Sequence, residues 1–559
     1  MNQLIETMFR NRQYTDSFLR EIENSAHDVL QSSAELCQRL SVIRAMYRQI
    51  VIIPDFDVDG IMAGVVGFAG LAELGFNVSL FIPDPNDGYG FTANTIKRLI
   101  GQYPGVEAII TCDVGITCYE GIDFAKSLGI EVLVTDHHIQ KQPINADVIV
   151  NPKKIGETYS HPGICGAYVF YQVLQQFADT YCDKFMSEQI SRLRVFAGIG
   201  TVSDMMPVLY ENRQLIRDAI DICKLVYLDR NNFVVNSIPG CDIYRRAFYG
   251  LFITLCAFND VGKIKDSESI DEQFFGYYLA PTFNSVKRMG KSMTEPFGVF
   301  FDADPETKVN NLIAWNDERK ALEVTYMEEI KNMNQPYAPY IYFTTAPGGI
   351  LGLLAQKLML ANDSMNPVLV LNQDGNKYHG SGRSPEWYLF FDRNCDKFYI
   401  GGHNPAFGIG FTDKRELDAY YAYIQKDVAD VFAHTEIVEA IPDAIIATDG
   451  SGDFGLDLWT FAGYLREIVD YKPFGIAFPA PQFLLKFNAS EGEWSVMGSV
   501  KQHLKIKLAY GFEVLLWNQA QLMRLADTNA EIQVVGNIQS SEYKGNVTFN
   551  FVGTVVNHE

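Results

Sequence analysis

Short acidic segments of this 559-residue chain concentrate side chains that hold cations or move protons, and the first is Asp55-Phe-Asp-Val-Asp-Gly60. Alternate residues on an extended backbone point to one side, so Asp55, Asp57 and Asp59 share a face if a strand persists that far. Three like charges so close are costly unless a cation neutralises them. The competing reading is a helix N-cap followed by acidic first-turn residues. Asp113, in Thr-Cys-Asp-Val-Gly115, is by itself an ordinary turn residue. Asp136-His137-His138 carries more weight, since imidazole beside several carboxylates suits Mn²⁺ or Mg²⁺ better than structural zinc. Gly198-Ile-Gly-Thr-Val-Ser-Asp204 delivers one further carboxylate through a glycine-rich approach. Taken together these groups describe a divalent, binuclear centre. Such a centre supplies a hydroxide nucleophile near neutral pH and steadies both oxygens of an in-line phosphoryl displacement, so phosphodiester hydrolysis is the expected reaction class.

The elements that must position these residues read as a parallel α/β fold. Ile50 to Pro54 is a continuous apolar run of the kind buried on both faces of a sheet, and Gly60 to Leu74 turns to a buried helical pattern. Asn77 to Ile82, Val106 to Thr111 and Glu131 to Thr135 read as further strands, with a helix over Cys118 to Leu128. Alternating strand and helix predicts a parallel sheet, and ligand sites in such sheets lie beyond the carboxyl ends of the strands. Three strands each release an acidic cluster there, so the clusters are expected to converge.

The rest of the chain divides by pattern. We expect a helical N-terminal segment over 1–47, the α/β catalytic domain over 48–228 and a helical connector over 229–335. A smaller α/β domain follows over 336–436, with strand YIYFTT, the glycine turn Pro347 to Gly352, a helix through Leu360 and strand PVLVL. Period-two runs over 437–559 predict a small antiparallel barrel or sandwich. With 47% hydrophobic and 20% charged residues the chain is ordinary globular protein. Its 46 basic against 68 acidic side chains leave a net charge of −22, which repels nucleic acid and anionic membranes unless local cations or metal ions reverse the sign. Scattered cysteines, a polar N-terminus and the lack of an 18-residue apolar run predict a soluble cytoplasmic protein with no membrane association.

The ordered motifs D-F-D-V-D-G, T-C-D-V-G, T-D-H-H and G-T-V-S-D-M-M-P-V with E-N-R resemble the DHH phosphoesterases and, among them, the RecJ-type exonucleases specific for single-stranded DNA. The likeness extends through Asn151-Pro-Lys153, Cys165-Gly-Ala167, Leu279 to Met289, Gly349 to Leu358, Pro473-Phe-Gly475 and His503-Leu-Lys505. It implies 5′ to 3′ hydrolysis of single-stranded DNA, or RNA, in recombination and repair, with two Mn²⁺ or Mg²⁺ ions. It implies metal ligation by Asp55, Asp57, Asp113, His137 and Asp204, with Asp59 as a ligand or a support. Asp136 and His138 are implied to orient ligands or act on the scissile phosphate. A recruiting protein such as a single-strand-binding protein or a helicase is an expected partner. A phosphodiesterase for oligonucleotides or cyclic dinucleotides, and a non-catalytic replication scaffold of DHH type, are the alternative readings.

Substrate contacts are expected in the second lobe. Gly380-Ser-Gly-Arg-Ser384 offers glycine-exposed amides, hydroxyls and one guanidinium whose fork matches phosphate, though a plain hairpin loop is the simpler reading. The resemblance implies that Ser381, Gly382, Arg383, Ser384, Gly401, Gly402 and His403 face a cleft and hold the nucleotide, with Arg288 as a further candidate. Lys501, His503, Lys505 and Lys507 alternate and predict a basic face on an OB-fold, with Phe512, Trp517 and Tyr543 available for stacking. Two positions depart from the family pattern: Pro85 stands where an arginine is usual, and Thr282 where a basic residue is common.

Overall fold

The computed structural model describes residues 3–23, 28–84, 88, 90–229, 242–361, 366–394, 398, 400–435, 442–498, 501–543 and 546–558; Pro85 and the side chains of His403 and Tyr543 lie outside the described residues. The chain divides into two compact units, one of Met1–Tyr278 with Ala440–Glu559 and one of Leu279–Glu439.

In the first unit, strands β1 (Ile50–Pro54), β2 (Val78–Leu80), β3 (Ala108–Cys112), β4 (Glu131–Thr135) and β5 (Val148–Val150) form an all-parallel sheet in the order β2-β1-β3-β4-β5. β1 and β3 are buried at every position, as their unbroken apolar runs require. Register is what aligns the site. Pro54 pairs with Cys112 and Cys112 with Thr135, so the next residues, Asp55, Asp113 and Asp136, leave the sheet side by side. The Val58–Glu73 helix is apolar nearly all round and correspondingly buried. Gly67 and Gly70 bring its backbone against Phe170, Leu174 and Leu193, where a Cβ would fall 2.2 Å from the Phe170 ring and 2.5 Å from Leu174.

The same unit carries β11 (Ala444–Ala447), β12 (Phe483–Asn488), β13 (Glu493–Met497), β14 (His503–Lys507), β15 (Phe512–Leu516), β16 (Glu531–Tyr543) and β17 (Asn546–His558). They form one sheet in the order β11-β12-β16-β17-β15-β14-β13. Its pairing is antiparallel except for β11 with β12 and β15 with β17, which run parallel. The period-two pattern signalled strands but not direction, and so missed those two pairs. The N-terminal helix Gln3–Asn11 is built into this region: Leu4, Ile5, Met8 and Phe9 join the core formed by Ile446, Phe483, Phe512 and Val534. Arg12 Nε secures it on Asp443 Oδ1 at 2.6 Å. Buried Arg213 binds Glu23 and donates to the carbonyls of Pro473 (2.7 Å) and Tyr471, with Phe478 beneath its guanidinium at 4.6 Å.

The second unit holds β6 (Ile341–Phe343), β7 (Val368–Asp374), β8 (Lys377–Arg383), β9 (Ile400–His403) and β10 (Ala406–Phe411) in the order β6-β7-β8-β10-β9. The Lys414–Phe432 helix buries Leu417, Tyr420, Ile424 and Val428 in a core with β-strand residues Ile341, Leu369 and Phe407. The Ile243–Asp260 helix falls in the first unit, whereas the Ala280–Arg288 and Pro305–Asn332 helices fall in the second. Among the described residues no helix is long and apolar enough to cross a membrane.

Candidate metal centre

The Asp55-to-Asp59 run does not remain extended. β1 stops at Pro54 and a helix begins at Val58, with Asp57 as its N-cap accepting from the Gly60 amide at 3.1 Å. The shared-face geometry expected of an extended strand is therefore replaced by a strand-to-helix turn. Gly60 permits it, since a Cβ there would stand 2.6 Å from the Asp55 carbonyl carbon. Asp59, on the first helical turn, is 1% exposed and accepts from the Gly166 amide at 2.6 Å and the Ala167 amide at 3.0 Å. It thereby fastens the amino end of the Gly166–Tyr181 helix, where orphan amides and the helix dipole favour a carboxylate.

His137 is the hub of the cluster. Its Nδ1 lies 2.9 Å from the Ile164 carbonyl, which makes Nδ1 the donor and leaves the Nε2 lone pair for the acidic groups. Around Nε2 stand Asp113 Oδ1 at 3.2 Å, Asp204 Oδ2 at 3.5 Å and Asp59 Oδ2 at 3.9 Å. Two groupings are close enough to hold an ion: Asp59, His137 and Asp204, and Asp113, His137 and His138. Asp55 and Asp57 belong to neither, yet both charges are felt at Asp113. Asp113 adopts φ +61, a left-handed conformation unusual for aspartate and of the strained kind that gathers at functional sites. Its Oδ1 is buried and accepts no hydrogen bond among the described residues.

The electrostatics suit a site that binds a cation. Burial, and then the neighbouring aspartates, push Asp113 well above the usual carboxylate range. Burial with Asp59 and Asp57 pushes Asp204 up to about 8. Burial, followed by the charges of His138 and Lys153, holds His137 down to about 4, so its imidazole is neutral and fit to ligate. A divalent cation would relieve the carboxylate repulsion, and the donor set of carboxylate oxygens with one imidazole suits Mn²⁺ or Mg²⁺.

Asp136 and His138 sit differently. Asp136 is buried and takes the amides of Ile116 (2.9 Å), His137 (2.6 Å) and His138 (3.0 Å), and its Oδ1 lies 2.8 Å from His138 Nδ1. Burial pushes Asp136 up, but the His138 hydrogen bond and charge outweigh it and leave the carboxyl lowered. Burial pushes His138 down, and Asp136 more than reverses this, to about 9. His138 is thus an imidazolium whose side chain is 48% exposed. Sequence reasoning missed Lys153 as a member of the site. Its ammonium feels Asp204, Asp136, Asp113 and Asp59, and Asn151 Oδ1 fixes its backbone amide at 2.6 Å. The signal for it was the Asn-Pro-Lys segment.

The expected substrate residues lie in the second unit. Gly380 to Arg383 is not a loop: β8 runs between β7 and β10, so its amides belong to the sheet rather than to a ligand. Gly380 and Gly382 serve packing, since a Cβ would fall 2.0 Å from the Val370 carbonyl oxygen and 2.3 Å from the Phe407 ring. Ser384 is buried and its hydroxyl donates to the Tyr388 carbonyl. Ser381 and Arg383 remain half-buried, and Arg383 Nη1 donates to the Gly382 carbonyl at 2.8 Å. Gly401 and Gly402 lie on edge strand β9, Gly402 at φ +124. In the C-terminal sheet Lys501 precedes β14 at φ +53, which removes it from the alternating row. Lys505 is paired with Glu513 at 2.6 Å and Phe512 is core, whereas Trp517 is half exposed against the His503 ring.

Comparison with known proteins agrees with this architecture. The DHH family N-terminal domain model matches residues 49–199, and the RecJ OB domain model matches 461–553. The single-stranded-DNA-specific exonuclease RecJ of Bacillus subtilis is 25% identical over 531 residues, covering 91% of this chain and 61% of that protein. The chain thus spans about three fifths of that relative's length. The Escherichia coli protein of the same name is 22% identical over 581 residues, covering 95% of this chain and 92% of its own length. The crystal structure of RecJ in complex with Mn²⁺ from Thermus thermophilus superposes with a TM-score of 0.71 at 20% identity, covering 100% of this chain and 76% of that one. A structure of exonuclease RecJ bound to manganese gives 0.56 at 21% identity, over 74% of this chain and 98% of that one. The parallel sheet that delivers carboxylates and imidazole from adjacent strand ends lies within the segment that matches the DHH family N-terminal domain model. The fold is that of the Thermus thermophilus RecJ structure, and the C-terminal region matches the RecJ OB domain model.

Proposed function

We propose that this chain is a divalent-metal-dependent exonuclease that hydrolyses single-stranded DNA from the 5′ end, in recombination and repair. The observation that carries the reading is His137, whose neutral Nε2 faces three carboxylates from three separate segments of the fold. The relatives named for single-stranded-DNA-specific exonuclease activity support the substrate class. Their bacterial sources support a cytoplasmic setting.

In this reading Asp113, His137 and Asp204, with Asp55 and Asp57, hold Mn²⁺ or Mg²⁺, two ions in all. The ions supply Lewis-acid activation of water and charge neutralisation at the scissile phosphate. Asp59 serves mainly as a support, because both its oxygens are engaged by amides of the Gly166–Tyr181 helix. Asp136 fixes the ring of His138, whose Nε2–H is left to donate to a phosphate oxygen or to the departing one. Lys153 adds a cation beside the same carboxylates. Ser381, Arg383, Gly401, Gly402, His403 and Arg288 contact the strand, Gly382 and Ser384 shape that surface, and the C-terminal OB domain binds single strands through a surface of its own. The domain limits 1–47, 48–228, 229–335, 336–436 and 437–559 are the functional divisions we assign. A single-strand-binding protein or a helicase recruits the enzyme, which offsets the repulsion of its −22 charge.

The test is substrate class. Purified chain with Mn²⁺ is expected to degrade single-stranded DNA and to spare blunt duplex. Hydrolysis confined to dinucleotides would move the reading to a small-substrate phosphodiesterase. No hydrolysis with any divalent ion would favour a scaffold.

A further inference from the structure

Three successive residues at the start of the Tyr210–Leu228 helix grip one short strap of chain, 159–164, that leads into the metal centre. The Tyr210 ring stacks on His161 with centroids 3.8 Å apart. Both carboxylate oxygens of Glu211 accept from the Tyr159 hydroxyl, at 2.6 and 2.7 Å. Asn212 Nδ2 donates to the Gly163 carbonyl at 2.7 Å. The next carbonyl, that of Ile164, is the one that takes His137 Nδ1 and so fixes which ring nitrogen is left to ligate.

The same Asn212 nitrogen donates a second time, to the Pro207 carbonyl at 3.0 Å. Pro207 follows Asp204 across a tight turn in which Met205 takes φ +54 and the Met206 amide donates to the Thr201 carbonyl at 3.0 Å. One carboxamide therefore spans the two segments that supply the carbonyl supporting His137 and the Asp204 carboxylate, whose Oδ2 stands 3.5 Å from His137 Nε2. The segments also pack directly, since a Cβ on Gly163 would stand 3.2 Å from Pro207 Cγ. Among side chains this short only a carboxamide offers two hydrogens to two carbonyls. Asn212 is 3% exposed, and its Oδ1 is buried with no donor among the described residues. A bare buried acceptor is destabilising, so this position gives up stability to hold two carbonyls at a fixed separation.

We infer that Asn212 is a positioning residue of the metal centre: its carboxamide, by tying Gly163 to Pro207, sets the separation of His137 from Asp204. It acts through those two carbonyls and touches neither ligand itself. An aspartate of the same size would turn an oxygen toward both carbonyls, and an alanine would leave them untied. The inference deepens the exonuclease reading and rests on its divalent-metal site, but not on the identity of the strand.

The test is Mn²⁺ binding to the full chain by isothermal titration without DNA, beside thermal melts that show each variant folded at the titration temperature. Asn212→Ala and Asn212→Asp are each expected to bind Mn²⁺ at least about tenfold more weakly, the loss usual when a partner that orients a metal ligand is removed. Gly163→Ala, which crowds Pro207 from the other side of the gap, is expected to weaken binding as well, and by less. In turnover of single-stranded DNA the Mn²⁺ requirement of Asn212→Ala is expected to rise by the same factor, while KM for the strand stays within about twofold. A purely structural role would lower the melting temperature and leave the Mn²⁺ affinity of the folded chain unchanged, and that result would overturn the inference. Should neither Asn212 variant fold, wild-type affinity in Gly163→Ala would overturn it. Wild-type chain that binds no Mn²⁺ would defeat the metal-site reading and the inference with it. Tight Mn²⁺ binding by the wild type and weakened binding by the variants, with no hydrolysis of DNA, would support the inference and defeat the exonuclease reading alone.

Discussion

A methyl group on Gly166 would stand 2.4 Å from Asp113 Oδ1 and 2.6 Å from its Cβ, so the bare backbone of Gly166 is part of the wall that sets this carboxylate. The same residue donates its amide to Asp59. Gly166→Ala must push Asp113 from its place beside His137. We expect Mn²⁺ affinity to fall at least about tenfold, as for loss of a supporting partner around a metal ligand. Isothermal titration checks this, and unchanged affinity would contradict the role given to Asp113.

Asp59 and His137 are close in space and differ in what they support. Removing Asp59 strips two charge-assisted hydrogen bonds from a helix end, so Asp59→Ala should destabilise the first unit by about 3 kcal/mol. Among the described residues the His137 side chain makes one hydrogen bond, to Ile164, so His137→Ala should cost about 1 kcal/mol while abolishing turnover. Denaturant melts beside rate measurements separate the two. Equal destabilisation would undo the distinction.

Glu211 introduces a pH dependence independent of the metal site. Burial, with Asp28 adding and the Tyr159 hydroxyl opposing, pushes its carboxyl up to about 7 from 4.5. The native state therefore keeps a proton that the unfolded chain has lost between those values. Stability must fall as pH rises across that window, by up to roughly 3 kcal/mol, and level off above it. Glu211→Gln keeps an acceptor for Tyr159 and should remove this slope. Chemical denaturation at pH 5 and pH 8 measures it, and an unaltered slope would count against the assignment.

Arg213 is fully buried and spends its guanidinium on Glu23, on carbonyls of the 471–473 segment and on the Phe478 face. Arg213→Ala removes these buried donors and the partner of Glu23, and should cost about 3 kcal/mol. Arg213→Lys cannot reproduce the fork and should recover less than half. Thermal unfolding within a degree of wild type would show that this anchor contributes little.

The chemistry of the site was legible where it rests on strand ends. Asp113 and Asp136 could be placed from sequence because an apolar run followed by an acid marks the carboxyl end of a buried strand, and parallel register aligns such ends. For the run from Asp55 to Asp59 spacing left a shared strand face and a helix N-cap both open, because it does not show where the strand yields to the helix; Asp57 at the cap and Asp59 in the first turn decide for the latter. Gly380 to Ser384 offered the same composition as a phosphate loop, yet close contact with Val370 and Phe407 is what its glycines allow. The N-terminal helix inside the C-terminal core lay beyond any local pattern, since its partners are hundreds of positions away. Lys505 looked free because Glu513 meets it only across a strand pair.

The most direct measurement follows a single strand carrying a label at its 5′ end, incubated with the chain and Mn²⁺, and sizes the first labelled product. The account predicts that label appears from the outset as mononucleotide, and that Asp113→Ala releases none. Label retained on a strand that shortens from its other end, or release undiminished in Asp113→Ala, would contradict it.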